Sequence, residues 1–320
     1  MEQGKPTPIG NAGDAVSSRR QTLALMLGAL ASLPRALAAA DGGAPIRLAI
    51  SESMVSDVNI NDARAAMLIW LKRMEADLNI SVEVNPRVFD SPEEIVRRAR
   101  ANQFDTVALN VVEYRQIADV LDPSQIVAES GVGGPEQYIL LAKRTGGIQR
   151  LADLRGRRLC EWKSVKMCLG PMWLSSVLDE GHFGLAEQFF GSTTAETKAS
   201  RVVLPVFFGQ VDACLTTKRS FDTMSELNPQ VARDLAVIAI SPSLVVTFYI
   251  FHKNYRGMSR EKFAKVYADL PATAAGRQLA TLFQFEKLVP QDIGCLAPAL
   301  AILEKSERAR GKSGAAGRRG

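Results

Sequence analysis

The chain has 320 residues, 47% hydrophobic and 23% charged, a balance typical of globular proteins rather than disordered or fibrous ones. Its 39 basic and 34 acidic residues give a net charge of +5; residues 1–40 carry +2 of this and residues 304–320 carry +4, which leaves the body at −1. A near-neutral body with its basic excess confined to the two ends argues against a nucleic-acid surface, which needs basic charge spread over a folded face.

Residues 1–20 are polar and end in Ser18-Arg19-Arg20. A 12-residue apolar run follows, Thr22 to Leu33, and then Pro34, Arg35 and Ala36-Leu37-Ala38-Ala39-Ala40. A basic start, a short apolar stretch and an A-x-A-like site are the parts of a secretory signal peptide. The run is too short to span a bilayer, which takes about 20 residues. Residues 1–40 are therefore expected to be removed after Ala38 or Ala40, leaving a periplasmic protein. The arginine pair resembles a twin-arginine export signal, with Thr22 where an aromatic often stands.

In chain order, Ile46–Ser51 reads as a strand running into a polar loop, Ser51 to Asp57. Residues 62–79 carry Ala66, Ile69, Trp70, Met74 and Leu78 at helical spacing, with Asn61 or Asp62 as cap. Residues 80–88 alternate like a strand. Ser91-Pro92-Glu93-Glu94 opens a helix reaching about Asn102. Phe104–Leu109 is a strand, Val112–Leu121 a helix, and Ile126–Glu129 and Tyr138–Lys143 further strands. Gly131-Val132-Gly133-Gly134 between them reads as a hinge or turn.

The pattern then recurs. Ile148–Leu154 reads as a short helix, Arg157–Glu161 as a strand and Val165–Glu180 as a helix. Residues 201–209 are apolar but interrupted by Pro205 and are left unassigned. Val211–Thr216 is a strand, Lys218–Leu227 a helix, and Leu235–Ile240 and Leu244–Phe251 strands. Only helices are expected beyond: Ser259–Leu270, Thr273–Phe285 and Pro290 to about Ala309. Alternating α and β elements predict an α/β fold of two lobes, each a mixed sheet flanked by helices, with C-terminal helices. Residues 45–132 with 242–303 are expected to form lobe 1, residues 136–240 lobe 2, and residues 304–320 a disordered basic tail. The lobes are expected to join near residues 131–140 and 238–246.

Cys160, Cys168, Cys214 and Cys295 allow three pairings. Cys160–Cys168 is the first to test in an oxidising compartment, and buried free thiols are the alternative. No G-x-S-x-G, Walker loop, G-x-G-x-x-G or H-E-x-x-H occurs, and His182 and His252 are the only histidines. No catalytic residue, metal or cofactor is expected.

Three phrases carry a resemblance. Phe104-Asp105-Thr106-Val107-Ala108-Leu109-Asn110 with Tyr114, then Leu151-Ala152-Asp153-Leu154-Arg155-Gly156-Arg157-Arg158-Leu159, then Gly209-Gln210-Val211-Asp212-Ala213 resemble, in order and spacing, the phosphate/phosphite/phosphonate branch of type II periplasmic solute-binding proteins, a group related to sulfonate-binding proteins and transferrins. The resemblance implies a monomer that captures a small, anionic ligand between two lobes and delivers it to an ABC permease. A ligand sensor for a membrane receptor or kinase, or an enzyme on the same fold, is the alternative.

Ligands of α/β lobes sit outside the carboxyl ends of strands. That rule and the resemblance nominate Ser51, Ser53, Asn110, Tyr114, Trp162, Lys163, Ser164, Lys166 and Thr216. This chain departs from the family in two loops. Where the family has a hydroxyl-rich anion loop stand Glu161-Trp162-Lys163-Ser164-Val165-Lys166-Met167, so lysines are expected to supply charge and Trp162 to stack on an organic group. Glu113 replaces a serine and is expected to repel a phosphonate or to attract a cationic group.

Overall fold

The computed structural model describes residues 45–316 other than 80, 84–88, 131–134, 258–259 and 284. The expected signal segment, its cleavage positions and the glycine-rich hinge fall outside these residues. Among the described residues no helix is long and apolar enough to cross a membrane.

Strands β1 (Ile46–Ser51), β2 (Val82–Glu83), β3 (Phe89–Asp90), β4 (Thr106–Asn110) and β5 (Leu121–Ser130) open the first sheet. The chain then builds a second sheet from β6 (Tyr138–Lys143), β7 (Arg158–Trp162), β8 (Ser192–Glu196), β9 (Ala213–Thr217) and β10 (Leu235–Ile240). It returns to the first with β11 (Thr247–His252) and β12 (Lys287–Asp292). The first sheet is ordered β12-β5-β11-β4-β1-β2, with β3 also on β1; the second is ordered β10-β6-β9-β7-β8. Both are mixed: β1 runs parallel to β4, while β11 is antiparallel to β4 and β5. The result is a two-lobe α/β fold with helices flanking each sheet.

Local chemistry sets the elements. Asn59 caps helix Ile60–Leu78, its side chain accepting from Asn61 and Asp62 N–H, so the cap stands before the expected Asn61 or Asp62. Ala63, Met67, Trp70, Leu71 and Met74 form the buried stripe of that helix. Each of its large members contributes about 1.5–3 kcal/mol of burial. The helix stops at Asn79, which is left-handed at φ 52°. Ser91 caps helix Pro92–Arg100, and Thr217 caps helix Lys218–Leu227.

The expected helix Val165–Glu180 divides into the turn Val165–Met167 and helix Gly170–Glu180, and the expected helix Val112–Leu121 ends at Ile117, with strand β5 starting at Leu121. Four further elements differ from expectation. Lys287–Asp292 is a strand, where a short connection and the start of the last helix at Pro290 were expected; it pairs antiparallel with β5 at the end of the sheet. That edge position accommodates Pro290, which has no N–H to give a further strand. Ser192–Glu196 is a strand with four of its five residues exposed, so no apolar alternation announces it. Ala199–Phe207 is a helix despite Pro205, held by buried Val202, Val203 and Val206. The helix Ala297–Ala316 continues through most of the expected disordered tail. Glu304–Arg308 supports it along its axis, and Lys305 reaches Glu180 of a neighbouring helix at 2.6 Å.

One apolar cluster runs from Tyr114 and Phe248 in the first lobe to Tyr138 and Trp173 in the second. Another covers the opposite face of the first sheet around Trp70, Met74, Phe263 and Tyr267. All four cysteines are free thiols, so Cys160 and Cys168 are not bonded. Cys160 instead lies opposite Cys214 in the β7/β9 register. The second and third phrases, both in the second lobe, also meet: Asp212 accepts from the Arg158 backbone N–H at 2.9 Å and from its guanidinium at 3.0 Å.

Candidate functional site

In the first lobe the adjacent parallel strands β1 and β4 end at Ser51 and Asn110. Asn110 caps helix Val111–Ile117, its Oδ1 accepting from the N–H of Val112 at 2.9 Å and of Glu113 at 3.0 Å. The Glu113 carboxylate reaches back, accepting from Asn110 N–H at 3.0 Å and from the Ser51 hydroxyl at 2.6 Å. Asn110 Nδ2 donates to Ser53 Oγ at 3.0 Å, and Ser53 Oγ contacts Ser51 Oγ at 3.2 Å. Ser51 and Asn110, both buried, and the half-buried Ser53 are thus joined into one network around Glu113. The acid there is engaged internally, as a reciprocal cap. Tyr114 is in the core, its ring edge-on to Phe248 at 5.4 Å, and burial pushes its phenol up.

In the second lobe the loop after β7 divides. Trp162 belongs to the core, with its indole N–H donating to the Thr197 carbonyl at 3.1 Å. It is therefore not placed to stack on a ligand. The Lys163 side chain is exposed, while its backbone N–H continues the β7/β8 ladder to Glu196. Ser164 caps the turn Val165–Met167 and donates its hydroxyl across to Asp57 of the first lobe at 2.5 Å. Lys166 faces inward, with Nζ 3.5 Å from Glu136 and 3.8 Å from Glu129. The Tyr138 hydroxyl holds this loop from below, donating to the Lys166 carbonyl at 2.9 Å and accepting from Leu169 N–H at 3.3 Å. Thr216 is fully buried in β9 opposite Ile139, and its hydroxyl has no hydrogen-bond partner among the described residues.

Three residues that sequence reasoning missed complete the centre. Glu129 stands at the end of β5 and Glu136 at the start of the crossing into the second sheet. Arg219 opens helix Lys218–Leu227; its guanidinium bonds Glu129 and lies 3.8 Å from Glu136. With Lys166 they form a quartet of two acids and two bases where the lobes meet. Glu136 is 5% exposed, and burial, with Glu129 nearby, raises its carboxyl above the usual range against the pull of Lys166 and Arg219. A search confined to strand carboxyl ends passes over these residues. For Glu129 and Glu136 the available signal was their position at the expected crossing near residues 131–140.

Two cavities flank the quartet. One, of about 60 Å³, is mostly apolar, with Met54, Met67, Tyr249 and Phe283 on the first lobe facing Val165 and Lys166 on the second. The other, of about 440 Å³, is polar and is lined by Glu136, Lys218, Arg219, Asp222, Glu226 and Glu286. Phe285 forms part of both walls. The larger, open to solvent on one side, has the size of a small-ligand site. Among the described residues no three His, Cys, Asp or Glu side chains gather as metal ligands.

Comparison with known proteins agrees with this architecture. The family profile described as "ABC transporter, phosphonate, periplasmic substrate-binding protein" matches residues 53–293. Among solved structures, a binding protein component of an ABC phosphonate transporter from Pseudomonas aeruginosa is similar at a TM-score of 0.55 and 17% identity, covering 83% of this chain and 88% of that one. PhnD1 from Prochlorococcus marinus, in complex with methylphosphonate, gives 0.55 at 14% identity over 81% and 97% of the two chains. XAC2383 from Xanthomonas citri, bound to ATP, gives 0.57 at 12% identity over 84% and 98%. A search of curated proteins found no match.

Proposed function

The chain belongs to the family of periplasmic substrate-binding proteins of phosphonate ABC transporters, and on that premise we propose that it captures a small anionic or zwitterionic ligand between its lobes and delivers it to an ABC permease. The observation that carries this reading is the placement of Lys166 and Arg219. Both cations belong to the second lobe, and both reach Glu129 of the first, beside cavities walled by the two lobes together. A ligand with a phosphonate, phosphite or sulfonate group exchanges with those carboxylates for the same donors, so binding and lobe closure are coupled. Ser51, Ser53 and Asn110 act in this reading as the rigid floor of the first lobe, with Ser164 as part of the closing edge.

Export precedes this role. We read residues 1–40 as a twin-arginine-like signal removed after Ala38 or Ala40, and N-terminal sequencing of the protein from its native periplasm tests it. Isothermal titration of ligand-stripped, refolded protein against phosphonates, phosphite, sulfonates and amino acids tests the capture itself. Heat with at least one of these, abolished in Lys166→Ala/Arg219→Ala, is the expected result. Absence of heat with every compound sinks the reading.

A further inference from the structure

The paths of the two sheets end on four strands, β12 and β2 in the first and β10 and β8 in the second. An edge strand presents backbone N–H and C=O groups that another strand can pair with, so folded proteins guard such edges with charge, proline or short length. Three of the four are guarded. β12 carries Lys287, Pro290 and Asp292. β2 spans two residues and ends in Glu83. β8 reads Ser-Thr-Thr-Ala-Glu and ends in Glu196. The fourth, β10, reads Leu235-Ala236-Val237-Ile238-Ala239-Ile240, apolar throughout, with neither charge nor proline.

Among the described residues β6 is the one strand neighbour of β10. Leu235 is buried, and Ile238 and Ala239 pack against the core. Val237 and Ile240 are 44% and 50% exposed. Their register explains how they stand together. Val237 lies opposite Leu141 and Ile240 opposite Ile139, with a shift between Val237 and Ala239. Leu141 and Ile139 are two apart in β6 and so share a face. The extra residue in β10 therefore brings Val237 and Ile240, three apart in sequence, onto that same face as well. The edge thus combines free backbone with an exposed apolar pair.

We propose that β10 is a self-association edge, where two copies of this chain pair their β10 strands antiparallel about a twofold axis. A sheet edge is matched by another edge, and of those on this chain β10 alone is uncharged, so its complement is itself. Charge at the flanks fits the antiparallel arrangement. Exposed Arg233 and Asp234 precede the strand, and the neutral Ser241-Pro242-Ser243 follows it. Antiparallel pairing sets the first flank of one copy beside the second flank of the other, so no like charges are opposed. Val237 and Ile240 of both copies then meet across the seam. The resemblance noted from sequence implied a monomer; this pairing makes the protein a weak dimer, and it does not depend on the ligand-capture reading.

Sedimentation velocity on the purified protein from about 1 to about 200 µM tests the pairing. One strand pair is an interface at the small end of the range, so half-dimerisation is expected at about 10–100 µM. Val237→Lys and Ile240→Lys each oppose like charges across the seam and are expected to raise that midpoint at least about tenfold. Both positions are half-exposed, so the monomer is expected to keep its fold, which circular dichroism checks. Hydrogen exchange on the parent at the two ends of the concentration range gives a readout that needs no variant: slower exchange at high concentration is expected in peptides spanning residues 235–240. A monomer at every concentration overturns the proposal. So does a dimer whose midpoint neither folded variant moves, or one that leaves exchange in residues 235–240 unchanged.

Discussion

The Ser164 hydroxyl of the second lobe donates to the Asp57 carboxylate of the first at 2.5 Å, closing the cleft at its exposed rim. The bond lies at the exposed surface between the two lobes, so it biases closure without creating the fold. A hydrogen bond to a charged group contributes about 1.5–3 kcal/mol when sheltered and less when exposed, as here. Asp57→Ala is expected to shift ligand-free protein toward the open form by a few-fold, seen as a larger radius of gyration in solution scattering. The urea midpoint is expected to stay within error. A lower midpoint with unchanged scattering means that the contact supports folding rather than closure.

Asp90 and Arg98 form a buried ion pair, 3% and 4% exposed at the side chain, between β3 and helix Pro92–Arg100. Arg98 also donates to the Gln103 carbonyl at 3.4 Å. Removing one partner strands the other charge away from water. Asp90→Ala is therefore expected to cost about 3–5 kcal/mol by urea denaturation, and Asp90→Leu/Arg98→Met to recover much of the loss.

His252 gives stability a defined pH dependence. It is buried, with Nε2–H donating to the Ala99 carbonyl at 3.1 Å and Nδ1 accepting from Asn254 N–H at 3.2 Å, which is the neutral tautomer. Burial lowers its pKa from 6.5; the Ala99 carbonyl and Asp105 oppose the shift, and Lys253 and Arg47 add to it. As pH falls through the unfolded value the unfolded chain takes up a proton that the native one refuses, so stability declines on acidification. Glu136 and Glu161, both raised by burial, act in the opposite sense, because the native state takes their protons first. The histidine contribution is isolated by comparing His252→Gln with the parent from about pH 8 to about pH 5. The variant is expected to be less stable at the upper end and to lose less on acidification. Parallel curves count against the assignment.

The thiols are expected to survive an oxidising compartment. Cys160 and Cys214 are side by side in adjacent strands, and burial pushes both thiols up; it pushes Cys168 up to about 12. Thiolate, the reactive form, is scarce in all three. Intact mass of protein purified without reductant is expected to show four reduced cysteines, and labelling of Cys214 is expected only after denaturation. A mass lower by two hydrogens in the native protein contradicts this.

Much of the backbone was legible because each signal was local. Ser91-Pro92-Glu93-Glu94 opened a helix where it should, and Lys218–Leu227 and Leu235–Ile240 occur at the expected bounds. Strand Ser192–Glu196 was not legible, since its side chains face water, and Lys287–Asp292 was hidden by Pro290. The site was legible only in part. Of the residues nominated by the rule of strand carboxyl ends, Ser51 and Asn110 lie in the polar network around Glu113 and Lys166 lies between Glu129 and Glu136, whereas the rings of Trp162 and Tyr114 fill the core. The rule missed Glu129, Glu136 and Arg219.

By itself the sequence determined the fold class, through apolar periodicity and caps that act over a few residues, and the distribution of charge, which is only counting. It also carried three phrases that turn at Asn110, Gly156 and Gly209, the last two at φ 71° and 74°. Tertiary structure decided which polar groups face each other. Glu113 became a cap, and Lys166 met two carboxylates from beyond its own strand. No short-range pattern encodes such meetings, because burial and Coulomb energy depend on distances fixed only when the two sheets come together.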